Sequence, residues 1–185
     1  MGNEKLFDIL FRELRTLKVI KYVPTNSVLL DIGCGFNGNF IKKIGPKIKE
    51  GIGIDKIVNS KQIGNIKLIN DHMDNTLPFD SNKFDCVTLI AVIEHLEYPE
   101  EILKECHRIL NNGGKIIITT PSKKSKSILE FLAFRLKLIN PGLIREHKYY
   151  FDKHEIKNLL EKVGFKSVVV KYFEFKYNIL IVAHK

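Results

Sequence analysis

Strand-like apolar segments alternate with helix-like segments along most of this chain, and that alternation constrains its fold more than any other feature. Near-continuous apolar runs are typical of strands that are buried on both faces of a parallel sheet. The predicted strands are residues 27–32, 51–55, 66–70, 84–90, 115–120, 167–173 and 175–183. Alternation with helices predicts a mostly parallel sheet covered on both faces. The last two strands are too close in sequence for a parallel crossover, so they should pair as an antiparallel hairpin.

Helix boundaries are marked by capping and breaking residues. The predicted helices are residues 4–22, 39–44, 99–110 and 152–163. Pro24 follows the first, which we assign to an N-terminal element of residues 4–23. Asp152 caps the last helix and Gly164 ends it. We therefore predict one domain over residues 1–185, with a seven-stranded sheet between two helical layers.

Residues 121–151 interrupt the alternation just after a predicted parallel strand. Open α/β sheets bind ligands at that edge. The insertion contains an apolar helix candidate at residues 128–138, followed by Pro141 and Gly142. Nine Lys or Arg and four Asp or Glu lie between residues 123 and 157, a local excess of 9 − 4 = +5. We predict that residues 121–151 form a substrate lid.

Charge and composition limit the classes of partner and compartment. Thirty Lys and Arg against 21 Asp and Glu give a net charge of +9. Nucleic acid or an anionic membrane would suit such a chain, but a lysine-rich solvated surface explains the charge as well, and we favour it. No apolar run approaches the ~20 residues that cross a bilayer, and the start lacks a signal-peptide pattern. The three cysteines are odd in number and widely spaced, which favours a reducing cytoplasm.

A glycine-rich turn, G-C-G-F-N-G at residues 33–38, follows the first strand. Glycines let a backbone turn sharply and approach a ligand closely. The spacing also matches the dinucleotide fingerprint, with Asp55 at the later acidic position; a turn without any ligand is the structural alternative. Asp31 stands two places before the first glycine. A carboxylate there would repel a pyrophosphate and attract an ammonium group.

With this turn, the sequence resembles the class I S-adenosylmethionine-dependent methyltransferases, in particular type 11-like enzymes of ubiquinone and menaquinone biosynthesis. The matching segments follow the family's order: V-L-L-D-I-G-C-G at 28–35, G-I-G-I-D at 51–55, L-P-F at 77–79, F-D-C-V at 84–87 and R-I-L-N-N-G-G at 108–114. The resemblance is strong over residues 27–120 and weaker over 145–185. It implies a three-layer α/β/α Rossmann-like fold. It also implies S-adenosylmethionine (SAM) as cofactor and S-adenosylhomocysteine (SAH) as product.

The same resemblance implies roles in a SAM site. Asp31 would hold the methionine ammonium, Gly33 and Gly35 would admit the ligand, and Asp55 would accept hydrogen bonds from the ribose hydroxyls. The remaining implied cofactor residues are Cys34, Lys56, His72, Met73, Ile90 and Ala91. The chain departs from the family at two places. The third glycine of the turn is shifted to Gly38, and His72 stands where the family often places an acid against the adenine amino group.

Glu94 and His95 follow the fourth strand on the expected substrate side. Ubiquinone-type O-methyltransferases and small-RNA 2′-O-methyltransferases share an E-x-x-E-H pattern here that binds a divalent metal, and His147 could stand in for a later His of the RNA enzymes. Ala91 replaces the first Glu, so we assign no metal. We predict Glu94, His95 and His147 as catalytic residues, with an imidazole as general base. The structural alternative is that Glu94 and His95 only cap the following turn.

The expected function is a cytoplasmic SAM-dependent methyltransferase that acts on a small molecule, a lipid or a glycan, preferably at oxygen. An RNA methyltransferase is the alternative that the +9 charge favours. A non-catalytic SAM-binding protein and a nicotinamide-dependent oxidoreductase also remain open.

Overall fold

The computed structural model describes residues 5–71 and 76–185, and a mixed sheet forms its middle layer. The strands are β1 Val28–Ile32, β2 Glu50–Asp55, β3 Lys61–Ile63, β4 Ile66–Asn70, β5 Phe84–Ile90, β6 Leu110–Pro121, β7 Lys166–Phe173 and β8 Asn178–His184. Their spatial order is β3-β4-β2-β1-β5-β6-β8-β7. The five strands from β4 to β6 are parallel, whereas β3 pairs antiparallel with β4. β8 pairs antiparallel with both β6 and β7.

Helices cover both faces of the sheet. They are α1 Leu6–Ile20, α2 Asn39–Ile44, α3 Pro99–Ile109, α4 Lys126–Glu130, α5 Pro141–Arg145 and α6 Lys153–Val163. Successive residues of a strand point to opposite faces, and Leu29 and Leu30 of β1 accordingly belong to different apolar cores. The core with Leu30 includes side chains of α3 and α6, and the core with Leu29 includes side chains of α1 and α2. The predicted three-layer α/β/α fold is confirmed.

The strand order reverses beside β1. From β1 the chain adds β2 and β4 on one side, and it then crosses to place β5 on the other side. In the strand pairing, Asp31 of β1 is opposite Gly53 of β2 on one side and opposite Thr88 of β5 on the other. Ligands of open α/β sheets bind outside the carboxyl ends of the strands at such a reversal. The loops after β1 and β5 therefore define where a ligand site is expected.

The sheet has eight strands where the sequence predicts seven. The additional strand, β3, has three residues, all exposed, and a single apolar residue, Ile63, is too little for a sequence pattern to predict a strand. The predicted C-terminal hairpin is confirmed, but its second strand begins at Asn178 and not at residue 175. Residues 174–177 form the turn, in which Phe175 has a φ of 54° and is 95% exposed.

The lid segment does not contain the single helix predicted at residues 128–138. α4 ends at Glu130 and continues as a π-helical turn, Phe131–Arg135. The Leu136 N–H donates to the Phe131 carbonyl, five residues earlier, at 3.1 Å. The helix ends after this wider turn. Lys137, two residues beyond it, has a φ of 54°, in the left-handed region where a right-handed helix cannot continue. The short helix α5 begins at Pro141, an element that the sequence analysis does not predict.

α1 forms as predicted, but much of its apolar stripe is exposed. Leu6 and Leu17 are 77% and 53% exposed, whereas Thr16 and Val19 are buried. The start of the helix contacts the lid, since the Asn140 N–H donates to the Asp8 carboxylate at 3.2 Å. α1 and the lid thus cover the same edge of the sheet. None of the helices within the described residues is long and apolar enough to span a membrane.

Candidate active site

The turn after β1 approaches the site through backbone alone. Gly33 and Gly35 have φ values of 70° and 71°, in the left-handed region that favours glycine. A Cβ added at Gly33 would lie 2.4 Å from a methyl group of Val92, so Gly33 lets the loops after β1 and β5 pack together. A Cβ added at Gly35 would meet no atom within 4 Å. The space over Gly35 is therefore open to a ligand.

Asp31 places a carboxylate beneath this turn. It is 2% exposed, and the Thr88 hydroxyl donates a hydrogen bond to it at 2.7 Å. Among the described residues, no basic side chain forms an ion pair with it. Burial raises the pKa of Asp31 to about 7, although the bond from Thr88 opposes this and the charge of Asp55 adds to it. A bound cation would relieve that cost.

Asp55, at the end of β2, supports the turn from the other side. Its carboxylate accepts hydrogen bonds from the Gly35 N–H at 2.8 Å and from the Ile57 N–H at 3.1 Å. The N–H groups of Gly33 and Cys34 donate to the Ile54 carbonyl, at 2.9 and 3.1 Å. The acid predicted to bind ribose therefore also holds the glycine turn against β2.

One cavity of about 550 Å³ extends from the glycine turn to the loop after β5 and the lid. Small-molecule sites commonly measure ~300–1,000 Å³. The predicted site residues on its wall are Asp31, Gly33, Cys34, Gly35, Ile90, Ala91, Glu94, His95 and His147. The cavity thus brings six of the predicted cofactor residues and all three predicted catalytic residues into one space.

Glu94, His95 and His147 form a compact cluster at the lid end of this cavity. One carboxylate oxygen and one ring nitrogen from each histidine lie within 4.8 Å of one another. Glu94 is fully buried, and neither of its carboxylate oxygens has a hydrogen-bond partner among the described residues. Burial raises the pKa of Glu94 to about 7. Together the three groups form a donor set that could hold a metal ion or the polar part of a substrate.

Burial keeps both imidazoles of the cluster neutral near neutral pH. Burial lowers the pKa of His95. It also lowers the pKa of His147 to about 4, and the nearby His95 lowers it further. The rings meet edge to face, with centroids 4.7 Å apart. Their Nδ1 atoms lie 3.2 Å from the Glu146 carbonyl and 3.0 Å from the Tyr150 hydroxyl, respectively.

Main-chain hydrogen bonds bring His147 to the cluster although it is distant in sequence. The N–H groups of Lys148 and Tyr149 both donate to the Glu94 carbonyl, at 2.8 and 3.2 Å. Lys148 also forms an ion pair with Glu97. The end of the lid is therefore fixed along the loop after β5, which sets His147 beside His95.

The structure places the other predicted residues outside the cavity wall or leaves them undescribed. Asp55 lies behind the glycine turn and is not among the residues that line the cavity. Lys56 is exposed in the turn after β2, and its neighbour Ile57 lines the cavity instead. His72 and Met73 lie outside the described residues.

Sequence reasoning missed the contribution of α1. Phe11, Arg15 and Thr16 line the cavity with other residues of the helix. Burial lowers the pKa of the Arg15 guanidinium, while the charge of Glu94 opposes that shift. In the sequence, these positions share only one face of the helix. The larger stripe of leucines on α1 makes that face hard to recognise.

The residues fit a SAM molecule on structural grounds. The buried carboxylate of Asp31, which pairs with no basic side chain of the described residues, suits an ammonium group. The open space over Gly35 admits a ligand against the backbone. A cavity of this size lies where open α/β sheets bind ligands, outside the carboxyl ends of the strands at the strand-order reversal. The family model described as a methyltransferase domain matches residues 3–170, so the chain belongs to that family. Together with this match, the fold and site are those of a class I SAM-dependent methyltransferase.

Relatives and solved structures agree with this assignment. The chain is 29% identical over 178 residues to the demethylmenaquinone methyltransferase of Staphylococcus carnosus, covering 82% of this chain and 73% of the relative. It is 24% identical over 160 residues to the ubiquinone/menaquinone biosynthesis C-methyltransferase of Pseudomonas fluorescens, covering 78% and 57%. The chain thus spans little more than half the length of that relative. A SAM dependent methyltransferase from Archaeoglobus fulgidus shares the fold, with a TM-score of 0.71 at 22% identity over 97% of this chain and 98% of that chain.

Proposed function

We propose that this protein transfers the methyl group of SAM to a hydroxyl oxygen of a small-molecule, lipid or glycan acceptor. The observation that carries the proposal is the continuous cavity between the glycine turn and the Glu94–His95–His147 cluster. One end offers a carboxylate without a cation, and the other offers three polar side chains. Donor and acceptor can therefore lie end to end in one space.

At the donor end, Asp31 binds the ammonium group and the glycine turn receives the ligand. SAM, when bound, supplies a methyl group that its sulfonium already activates toward displacement. Asp55 accepts hydrogen bonds from the ribose hydroxyls, and Ile90 and Ala91 contact the methionyl part. Ala91 has a φ of 55°, and its N–H donates to the Thr119 carbonyl at 2.9 Å, so the backbone of this contact is fixed.

At the acceptor end, Glu94, His95 and His147 hold the reacting hydroxyl group. Holding two reactants in line can lower a barrier by ~7–11 kcal/mol. The hydroxyl must also lose its proton as the new bond to carbon forms, which suits a polar cluster more than an apolar wall. Residues 121–151 close over the acceptor, since they supply His147 and part of the cavity wall.

The names of the quinone-biosynthesis relatives support an acceptor that contains an aromatic ring. Because one of these relatives is named a C-methyltransferase, a ring carbon is the alternative to a hydroxyl oxygen as the atom that receives the methyl group. The test is to incubate the protein with methyl-labelled SAM and fractionated cell extract. The labelled product is then located by NMR. A methyl ether in the product would support transfer to oxygen. A methyl group bonded to carbon would show that the protein is a C-methyltransferase and contradict transfer to oxygen.

His147→Ala should lower the rate of label transfer while leaving SAM affinity, measured by calorimetry, unchanged. An unchanged rate would assign His147 to lid packing.

Label in the RNA fraction would show that the acceptor is RNA and not a small molecule, a lipid or a glycan. A titration in which NAD binds and SAM does not would overturn the proposal altogether.

A further inference from the structure

We propose that this protein docks on the surface of anionic lipid bilayers through an apolar patch that α1, the lid and the turn between β7 and β8 form together. This docking patch comprises Leu6, Leu10, Leu14 and Leu17 of α1, Leu132 of the lid and Phe175 of the turn. None of these residues lines the cavity of the candidate active site. The inference therefore goes beyond methyl transfer and does not depend on it.

α1 contributes a stripe of leucines that the described elements leave largely uncovered. Leu6, Leu10, Leu14 and Leu17 are each between 40% and 77% exposed. Their spacing of three and four residues places them on one side of the helix, whereas Val19 on another side is buried. Single exposed leucines are common, but a continuous apolar stripe indicates an interaction surface.

The turn between β7 and β8 holds an aromatic side chain in solvent. Phe175 is 95% exposed. Glu174, Phe175 and Lys176 have φ values of 48°, 54° and 72°, in the left-handed region that is unfavourable for residues other than glycine. Such strained backbone is concentrated at functional sites. A turn that presents phenylalanine in this way suits insertion into the interface of a bilayer.

The three segments form one continuous surface. Leu14, Leu132 and Phe175 line a second cavity of about 240 Å³, which lies between α1, the lid and the turn. The Lys5 ammonium group donates to the carbonyls of Lys137 and Ile139, so the start of α1 is also attached to the lid. The apolar side chains of the docking patch can therefore contact a single partner at once.

Positive charge surrounds the docking patch. Residues 5–21, 126–138 and 174–177 contain nine Lys or Arg and four Asp or Glu, an excess of five positive charges. Of the acids, Glu13 pairs with Lys43 at 2.6 Å and Asp8 accepts the bond from the Asn140 N–H.

A bilayer matches both properties of the patch. Anionic headgroups lie above an apolar interior, so leucines inserted among lysines and arginines contact each layer with the suitable group. Nucleic acid would match the charge but not the leucines. We therefore assign the patch to an anionic lipid surface.

A tryptophan at position 175 tests this directly, because the natural chain contains none. The probes are vesicles of phosphatidylcholine alone and vesicles of phosphatidylcholine mixed with an equal part of phosphatidylglycerol. The fluorescence of Phe175→Trp should shift to the blue with the mixed vesicles, and added salt should reduce the shift. Ile63→Trp is the control, since Ile63 is 42% exposed on β3 at the opposite edge of the sheet.

Co-sedimentation with the mixed vesicles measures how much each residue contributes. Phe175→Ser and Leu17→Ser should each lower the partition coefficient about tenfold, because an apolar side chain no longer leaves water. Lys176→Glu should have a similar effect through charge. Ile63→Ser and Lys67→Glu, on the far edge of the sheet, should leave partitioning unchanged. Unchanged SAM affinity would show that the variants are folded.

Equal blue shifts at positions 63 and 175 would overturn the inference, and so would wild-type partitioning of both serine variants at the patch. Dimerisation that Leu17→Ser abolishes, without vesicle binding, would give the patch to a second copy of the chain and contradict a bilayer. RNA binding without vesicle binding would also contradict it. Vesicle binding by a protein that does not bind SAM would keep this inference and remove the proposed function.

Discussion

Asp31 carries a charge that the free protein compensates poorly. One hydroxyl, that of Thr88, donates to it, and the side chain is 2% exposed. Asp31→Asn should therefore raise the melting temperature of the ligand-free protein at pH 8 by a few °C, since ionising a buried acid costs stability. The same change should weaken SAM binding at least about tenfold, because the ammonium loses its counter-charge. Differential scanning fluorimetry and calorimetry measure the two effects.

Asp85 provides a matched control in the neighbouring strand. Its carboxylate accepts hydrogen bonds from the Val28 N–H at 2.8 Å and from the Asn111 side chain at 2.7 Å. Asp85→Asn should lower the melting temperature and leave SAM affinity unchanged, since it breaks one satisfied contact outside the cavity wall. Wild-type affinity in Asp31→Asn would place the ammonium elsewhere.

SAM affinity should depend on pH through Asp31. Burial raises the pKa of Asp31 in the free protein to about 7, above the ordinary aspartate value of 3.8, and the bound ammonium favours the ionised form. Affinity should be nearly constant above pH 8 and fall toward tenfold per unit below pH 7. By the same linkage, the contribution of Asp31 to folding stability falls as pH rises from about 4 to about 7. Calorimetry in buffers of different ionisation enthalpy would detect the released proton, and a pH-independent affinity would contradict this role.

Some residues of the site can be predicted from the sequence alone, and others cannot. Asp31, Gly33 and Gly35 are adjacent to a strand end, so a local pattern predicts that they share a site. Arg15 and Thr16 lie on a helix whose charged positions suggest solvent, and only the tertiary fold turns them toward the cavity. The contact between His95 and His147 depends on how the lid folds, for which no local signal exists.

Among the structural elements, the turn after β1 offers a direct test of close backbone approach. Gly35 and Gly64 both have left-handed φ values, 71° and 58°, and an added Cβ would meet no atom within 4 Å at either position. Gly35→Ala and Gly64→Ala should each cost roughly 1–2 kcal/mol of stability. Only Gly35→Ala should weaken SAM binding, because its methyl group occupies the open space on the cavity wall. Calorimetry on both variants makes the comparison.

Equal SAM affinity in the two glycine variants would show that the ligand does not approach Gly35. Equal loss of affinity in both would show that the effect arises from destabilisation and not from the site.

Elements with strong boundary signals were predicted more accurately than those without. The Asp152 carboxylate accepts from the N–H groups of His154 and Glu155, at 2.9 and 3.0 Å, as expected for the start of α6. β3 has three residues, of which only Ile63 is apolar, so it is too short for an alternating or continuous apolar pattern to indicate it. The predicted helix at 128–138 has suitable apolar spacing, but its π-helical turn depends on packing beyond the segment.

At the scale of the whole molecule, the lid contacts two other parts of the fold, the loop after β5 and α1. Its end hydrogen-bonds to Glu94, while its middle contacts α1 through Asn140 and Asp8. SAH should slow tryptic cleavage within residues 121–151, because residues of the lid line the cavity and a filled cavity holds the lid closed. Mass spectrometry of timed digests measures the rates, with cleavage at Lys157 and Lys162 of α6 as the internal reference.

Equal slowing at the lid and at α6 would indicate general stabilisation, which would contradict a closing lid.

The placement of β8 has a consequence for how the chain acquires its structure during synthesis. β8 follows β7 in sequence but lies between β6 and β7, so β6 lacks one neighbour until residues 178–184 are available. An unpaired, apolar strand edge is prone to pair with other chains. A ribosome that stalls before residue 178 would therefore leave β6 exposed to chaperones and to other nascent polypeptides, with the β-sheet two strands short, because β7 joins the sheet only through β8.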